Sequence, residues 1–170
     1  MMSNNKSFSL IFPAYNEEAH IRKNIESFLH TKIFDEIIVV DNNSTDNTKV
    51  EIKKTTAKYL RERTQGYGAA LRKGMEASSG DYIVLCEPDS TFSAKDIHKF
   101  LAYLDDFDCV FGTRTAKLLI HESAKMQYSL RMGNIFVAKI LQYMFLGPTL
   151  TDVGCTYKVI SRQAYNKIKE

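Results

Sequence analysis

Cysteine is scarce in this chain of 170 residues: Cys86, Cys109 and Cys155 are all there is. They are odd in number and far apart, and the first two lie in apolar runs. No disulfide framework or zinc-ligand spacing follows, and a reducing cytosolic setting fits best. Long apolar runs are also missing. No stretch reaches the roughly 18 consecutive apolar residues of a membrane span, and the polar opening segment, 1–7, lacks the apolar heart of a secretion signal. Net charge is only +3, too little to argue for nucleic acid. The basic residues within 49–63 read as the solvated face of a helix and the strand after it. His20, His30, His98 and His121 are scattered and form no constellation. There is no internal repeat and no low-complexity linker. What remains has the length and apolar share of one globular domain, 1–170. The chain stops directly after an expected helix, at Lys167-Ile168-Lys169-Glu170. A C-terminally truncated piece of a longer protein, with membrane segments beyond it, is one expectation.

Two apolar runs end in acid. Ile37-Ile38-Val39-Val40 leads into Asp41, and Tyr82-Ile83-Val84-Leu85-Cys86 leads into Glu87-Pro88-Asp89. Continuous runs of this kind predict buried strands of a parallel sheet. Acids just past their carboxyl ends stand where open α/β sheets bind ligands. Several carboxylates there repel one another unless a positive charge is shared, and a divalent cation carrying a polyphosphate satisfies that need.

The rest of the pattern supports such a sheet. Strands are expected over 8–12, closed by Pro13, then 37–40, 59–63, 81–86 and 109–112. Helices are expected over 17–29, from the turn at 42–46 to about Lys58, over 69–77, and over 94–104 with Ser93 as cap and Asp96 completing a weak capping box. This alternation predicts a mainly parallel, doubly wound sheet with helices on both faces. Beyond Thr113 the rhythm changes: a polar segment 117–127 carrying His121, a long helix 128–146 stopped by Gly147-Pro148, a loop and strand over 151–160, and a last helix 162–168. Phe136, Ile140, Tyr143 and Met144 share one side of the long helix. Core packing is the default for them, with a membrane-facing surface as the rival.

Against this background several motifs carry a resemblance. Pro13-Ala14-Tyr15-Asn16-Glu17-Glu18, Asp41-Asn42-Asn43-Ser44-Thr45-Asp46 and Gly66-Tyr67-Gly68-Ala69-Ala70-Leu71-Arg72-Lys73-Gly74 resemble, in order, the first three signatures of family 2 glycosyltransferases. Glu87-Pro88-Asp89 stands where that family carries its Asp-x-Asp metal motif. Gly112-Thr113-Arg114 and Thr151-Asp152-Val153-Gly154-Cys155-Thr156-Tyr157-Lys158 resemble later blocks of its polyprenyl-phosphate sugar synthases. The resemblance implies the GT-A type of fold and a nucleoside-diphosphate sugar donor. It also implies Mg²⁺ or Mn²⁺ as cofactor, an acceptor that is a lipid phosphate or a glycan, and work at the inner face of a membrane.

The residues can be given roles on that footing. Pro13, Ala14 and Tyr15 wall a base slot, Asp41 and Asn43 take polar edges of the nucleoside, and Glu17 lies beside them. Gly68 lets backbone approach the ligand, Arg72 is a candidate for the diphosphate, and Pro88 lies between Glu87 and Asp89, which hold the metal. Glu87 departs from the family's aspartate. Arg114 and Arg131 are candidates for gripping phosphate, and Asp152 for a catalytic or acceptor-site acid. The preferred expectation is inverting transfer of a hexose to a polyprenyl phosphate, with peripheral membrane contact, no nucleic acid, and a homo-oligomer as an open option. The alternatives are transfer to a sugar hydroxyl with Asp152 as base, and a non-catalytic nucleotide-binding module. A nucleotidyltransferase fits less well, because Pro13-Ala14-Tyr15-Asn16 is not a glycine-rich phosphate loop.

Overall fold

The computed structural model describes residues 6–114, 128–147 and 149–169. The segment carrying His121, and Pro148, lie outside the described residues. The chain divides into two compact units, Met1–Val110 with Tyr157–Glu170, and Phe111–Thr156.

The first unit is built on β1 (Phe8–Ala14), in which every residue is buried. Beside it lies β2 (Glu36–Asp41), buried from Ile37 onward. These strands need no polar alternation because apolar side chains meet both of their faces. Among the described residues the sheet has six strands, ordered β3-β2-β1-β4-β6-β5, with β3 at Lys58–Arg61, β4 at Tyr82–Leu85, β5 at Cys109–Phe111 and β6 at Lys158–Ser161. The β3–β2, β2–β1 and β1–β4 pairs are parallel, and β6 runs antiparallel to β4. The chain winds outward from β1 to β2 and β3, then crosses back to β4 on the other side. A topological switch point therefore lies between β1 and β4, the place where such sheets open a ligand crevice.

Pro13 does not close the first strand. It lies within β1, opposite Val40 of β2. The β1–β4 ladder stops at Ile11 paired with Leu85. Past that point β1 has only one neighbour, so the missing N–H of proline costs no ladder bond there.

Helices cover both faces. On one side α1 (Ile21–Leu29) sets Phe28 edge-on to Phe12, with ring centroids 5.2 Å apart. Tyr157 joins this layer against Phe28, Phe92 and Phe100. On the other side α3 (Tyr67–Ala77) and α6 (Arg162–Ile168) bring Ala70 and Tyr165 into one cluster with Ile11, Ile38, Val40 and Ile83. Arg162 fastens this layer. Its guanidinium donates to the carbonyls of Gly80 and Met75 and to Ser78 Oγ at 3.0, 3.2 and 2.8 Å, placing positive charge on the carboxyl end of α3, where it is favoured.

Helix ends depart from the expected bounds for local reasons. α1 starts four residues later than expected, and ahead of it the N–H groups of Asn16, Glu17 and Glu18 bond to the side chains of Ser44, Thr48 and Asp46. α2 (Thr48–Lys53) ends early, where Thr55 turns its hydroxyl back onto Ile52 O and then accepts from Ala57 N. Ser93 caps as expected, accepting from Lys95 N, but Asp96 bonds Lys99 instead of closing a box. A 3-10 turn, Ala94–Asp96, precedes α4 (Ile97–Leu101).

The second unit carries α5 (Tyr128–Phe145). Here the core-packing expectation fails: Phe136, Tyr143 and Met144 are 68%, 84% and 66% exposed, and Ile140 is exposed as well. Ala138 is the buried apolar position on this helix among the described residues.

Gly74 gives the α3 face a sharp test. A Cβ there would lie 2.4 Å from Ile11 Cγ2 and 3.1 Å from Val40 Cγ2, both on fully buried side chains. Alanine normally favours a helix interior by about 1 kcal/mol over glycine. Overpacking, typically about 1–3 kcal/mol, outweighs that gain here. Gly74→Ala should therefore lower the melting temperature by a few degrees in thermal denaturation, against the direction of helix propensity.

Candidate functional site

Four loops leave the carboxyl rim of the first unit's sheet, and amide side chains brace them to one another. Asn16, at φ 56, accepts from Thr45 N through Oδ1 at 2.8 Å, while its own N–H donates to Ser44 Oγ at 3.0 Å. Asn42, buried, donates to the carbonyls of Glu62 and Thr64 and accepts from Gly66 N at 2.7 Å. Asn43, at φ 66, donates to Arg63 O and to Gln65. Asparagine tolerates this left-handed backbone better than most residues. The loops after β1, β2 and β3 thus form one hydrogen-bonded frame.

Within the frame Asp41 is buried and doubly engaged. Its Oδ1 accepts from Ser44 N at 2.9 Å and its Oδ2 from the Tyr59 hydroxyl at 2.8 Å. Burial, and then the bond to Asp41, push the Tyr59 phenol up to about 12. Tyr59 is therefore the protonated donor at any working pH. Ala14 pairs directly with Asp41 across the β1–β2 ladder, with Pro13 one step before it. Tyr15 next to them is 53% exposed, a flat aromatic face turned to solvent. Gly66 has φ 138, which only glycine adopts freely, and apart from adjoining chain neither it nor Gly68 has an atom within 4 Å of where a Cβ would stand.

The acids at the switch point converge. Burial pushes the Glu17 carboxyl above its usual range, and the negative charges of Asp89, then of Glu87 and Asp46, push the same way; His20 opposes them. Asp89 Oδ1 accepts from Thr91 N at 2.9 Å. Among the described residues no lysine or arginine forms an ion pair with Glu17 or Asp89. A hard-oxygen donor set that repels itself fits a divalent cation of the Mg²⁺ or Mn²⁺ kind. No three His, Cys, Asp or Glu side chains among the described residues form a ready cage. Arg72 lies exposed on α3, and its charge is felt at Tyr165 of α6; no described contact joins it to the rim acids.

The second unit holds its own cluster. Asp152 has a fully buried side chain. Arg114 grips it with two guanidinium contacts, at 3.1 and 3.3 Å, and with its backbone N–H at 2.9 Å. Asn134 of α5 and Gly154 N donate to the same carboxylate at 2.8 and 3.0 Å. Burial alone would raise its pKa, but the hydrogen bonds and charge of Arg114, with Gly154, hold it below the usual carboxylate range. Such a group stabilises the fold at neutral pH and loses that contribution as pH falls through its depressed pKa. No described hydrogen bond or ion pair joins Arg131 to this pair.

Sequence reasoning placed Asn16 and Asn42 in motifs without a bracing role and passed over Tyr59 and Asn24. Of the latter two, Asn24 carried a readable signal, a polar residue on the buried stripe Ile21, Asn24, Ile25, Phe28 of α1.

The raised pKa of Glu17 has a testable sign. Its protonated form is favoured in the folded state, so the contribution to stability is full below its unfolded pKa and lost as pH rises through the higher folded value. Thermal melts of metal-free Glu17→Gln should therefore show a higher midpoint than wild type at about pH 7 and none of that advantage at about pH 4. A lower midpoint at the higher pH would contradict the convergence of the acids.

Comparison with known proteins matches the chain, over residues 9–169, to the family model described as glycosyl transferase family 2. A low-salt glycan biosynthesis hexosyltransferase of Haloferax volcanii is 28% identical over 94% of this chain and 39% of its own length. A dolichyl-phosphate hexose transferase of the same organism is 27% identical over 95% and 69%, and a dolichyl-phosphate beta-glucosyltransferase of Mus musculus 26% over 94% and 56%. The chain thus spans between 39% and 69% of the length of these relatives. Among solved structures, Mycobacterium tuberculosis glucosyl-3-phosphoglycerate synthase, crystallised with Mn²⁺, UDP-glucose and glycerol 3-phosphate, superposes with a TM-score of 0.70 at 22% identity, over 93% of this chain and 57% of that one. That likeness establishes the fold as the mainly parallel α/β GT-A type. A family model covering nearly every residue, on a sheet whose rim gathers the motif acids, makes the chain a member of glycosyl transferase family 2.

Proposed function

We propose that this chain is the catalytic domain, 1–170, of an inverting hexosyltransferase. It takes a nucleoside-diphosphate sugar together with Mg²⁺ or Mn²⁺ and transfers the hexose to a polyprenyl phosphate. The observation that carries this reading is the electrostatic convergence of Glu17, Asp89 and Glu87 beside the switch point. Relatives named as dolichyl-phosphate transferases, and the Mn²⁺ and UDP-glucose bound by the mycobacterial enzyme, support it.

In this reading Asp89, with Glu87 beside it, holds the cation. Bound there, the cation supplies positive charge to the diphosphate as it departs. Pro13, Ala14 and Tyr15 wall the base slot, Asp41 and Asn43 take nucleoside polar groups, and Tyr59 holds Asp41 oriented. Gly68 leaves backbone room for the ligand, and Arg72 is an outlying candidate for its phosphates. The acceptor attacks from the face opposite the leaving group.

The bonding of Asp152 bears on the acceptor. A general base needs an open lone pair directed at the proton it takes and a pKa near the working pH. Asp152 accepts five hydrogen bonds and is held low. It therefore serves better to orient Arg114 than to take a proton. A phosphate acceptor already carries its charge and needs no base, whereas a sugar hydroxyl does. Arg114 and Arg131 are the proposed cations for that acceptor. The exposed apolar residues of α5, with Arg131 and Lys139 and no acid on the helix, suit contact with a lipid surface. No helix among the described residues is long and apolar enough to cross one.

The test has two parts. Nucleoside diphosphates and their sugars should raise the melting temperature in a Mn²⁺-dependent way, growing with ligand concentration. Transfer from the stabilising donor to polyprenyl phosphate should fall at least about a hundredfold in Asp89→Ala, which retains its fold by circular dichroism. No stabilisation by any nucleotide would refute the reading, and binding without turnover would leave a non-catalytic module.

A further inference from the structure

Asn24 belongs to none of the motifs that mark the family, yet its side chain holds the loop in which one of them ends. It lies on the buried stripe of α1 and is 7% exposed. Its Nδ2 stands 2.6 Å from Pro88 O, 2.9 Å from Ser90 Oγ and 3.1 Å from His20 O. Two N–H protons thus serve three acceptors, and one is shared.

Pro88 and Ser90 flank Asp89 on either side. Ser90 stands at φ 64, a backbone that serine adopts reluctantly, so local preference does not hold this loop in place. The bond from Thr91 N fixes how the Asp89 carboxylate is turned, not where the loop lies relative to α1. Glu17 sits on the turn leading into α1, its carbonyl accepting from Ile21 N. One amide on that helix therefore ties the mount of Asp89 to the mount of Glu17. A leucine at position 24 would suit the apolar stripe, but it could not do this.

We propose that Asn24 is a positioning residue that sets the spacing of Asp89 from Glu17, and through it the affinity for the cation, without touching cation or nucleotide. The proposal rests on the cation reading of the rim acids given above.

The experiment compares wild type, Asn24→Ala and Ser90→Ala. The Mn²⁺ concentration giving half-maximal thermal stabilisation is measured with UDP and with GDP, and nucleotide affinity is measured by calorimetry in EDTA. Loss of a residue that orients a metal ligand typically weakens metal binding by about tenfold or more, so Asn24→Ala should raise the Mn²⁺ midpoint about tenfold, Ser90→Ala by a smaller factor, and metal-free nucleotide affinity should change by less than about twofold. A purely structural asparagine would lower the melting temperature and leave the Mn²⁺ midpoint where it was; that result overturns the proposal. Ser90 is exposed, so its variant remains measurable should Asn24→Ala fail to fold, and an unchanged midpoint there overturns it equally. Absence of any Mn²⁺-dependent stabilisation in wild type is a different failure: it removes the cation reading itself, and this inference with it.

Discussion

Carboxylates that repel one another at the rim of a parallel sheet are the constraint on which the rest of this molecule turns. Glu17, Asp89 and Glu87 are held within electrostatic reach at the point where the strand order reverses, and the Glu17 carboxyl rises in response. Left to themselves such loops would spread. Neutral amides prevent it: Asn16 and Asn42 lock the loops after β1, β2 and β3, and Asn24 ties the loop after β4 to α1. The braces themselves carry no charge. Among the described residues neither Glu17 nor Asp89 is drawn into an ion pair with a lysine or arginine.

The second unit shows the opposite use of an acid. Asp152 is saturated by Arg114, Asn134 and Gly154, and its depressed pKa records how fully its charge is answered. In the first cluster the charges of Asp89 and Glu87 raise the Glu17 carboxyl; in the second the charge of Asp152 is answered by Arg114. The first suits holding a ligand ion, and the second suits holding an arginine in place.

Much of the fold was legible because it follows from periodicity and caps. The apolar runs at 37–40 and 82–86 fall on β2 and β4, Ser93 caps as its type suggests, and α6 begins and ends where the pattern places it. Other features depended on partners that a one-dimensional reading cannot supply. Pro13 sits inside a strand because β4 ends two residues earlier on that side. The turn before α1 is bonded to side chains some thirty residues away, a partnership that spacing does not show. The apolar side of α5 reads as core by spacing, yet its large residues are exposed. In the site, acids announced themselves by following strands, while the residues aiming them did not: Tyr59 looks like an ordinary strand residue, and Asn24 like a flaw in an apolar stripe.

Paramagnetic broadening tests the account at its centre. With Mn²⁺ and a stabilising nucleoside diphosphate added to the ¹⁵N-labelled chain, the amide resonances of residues 16–18, 87, 89 and 90 should broaden first, while those of α6 keep their line widths. Broadening centred elsewhere, or none at those two loops, would contradict the claim that the rim acids hold the ion.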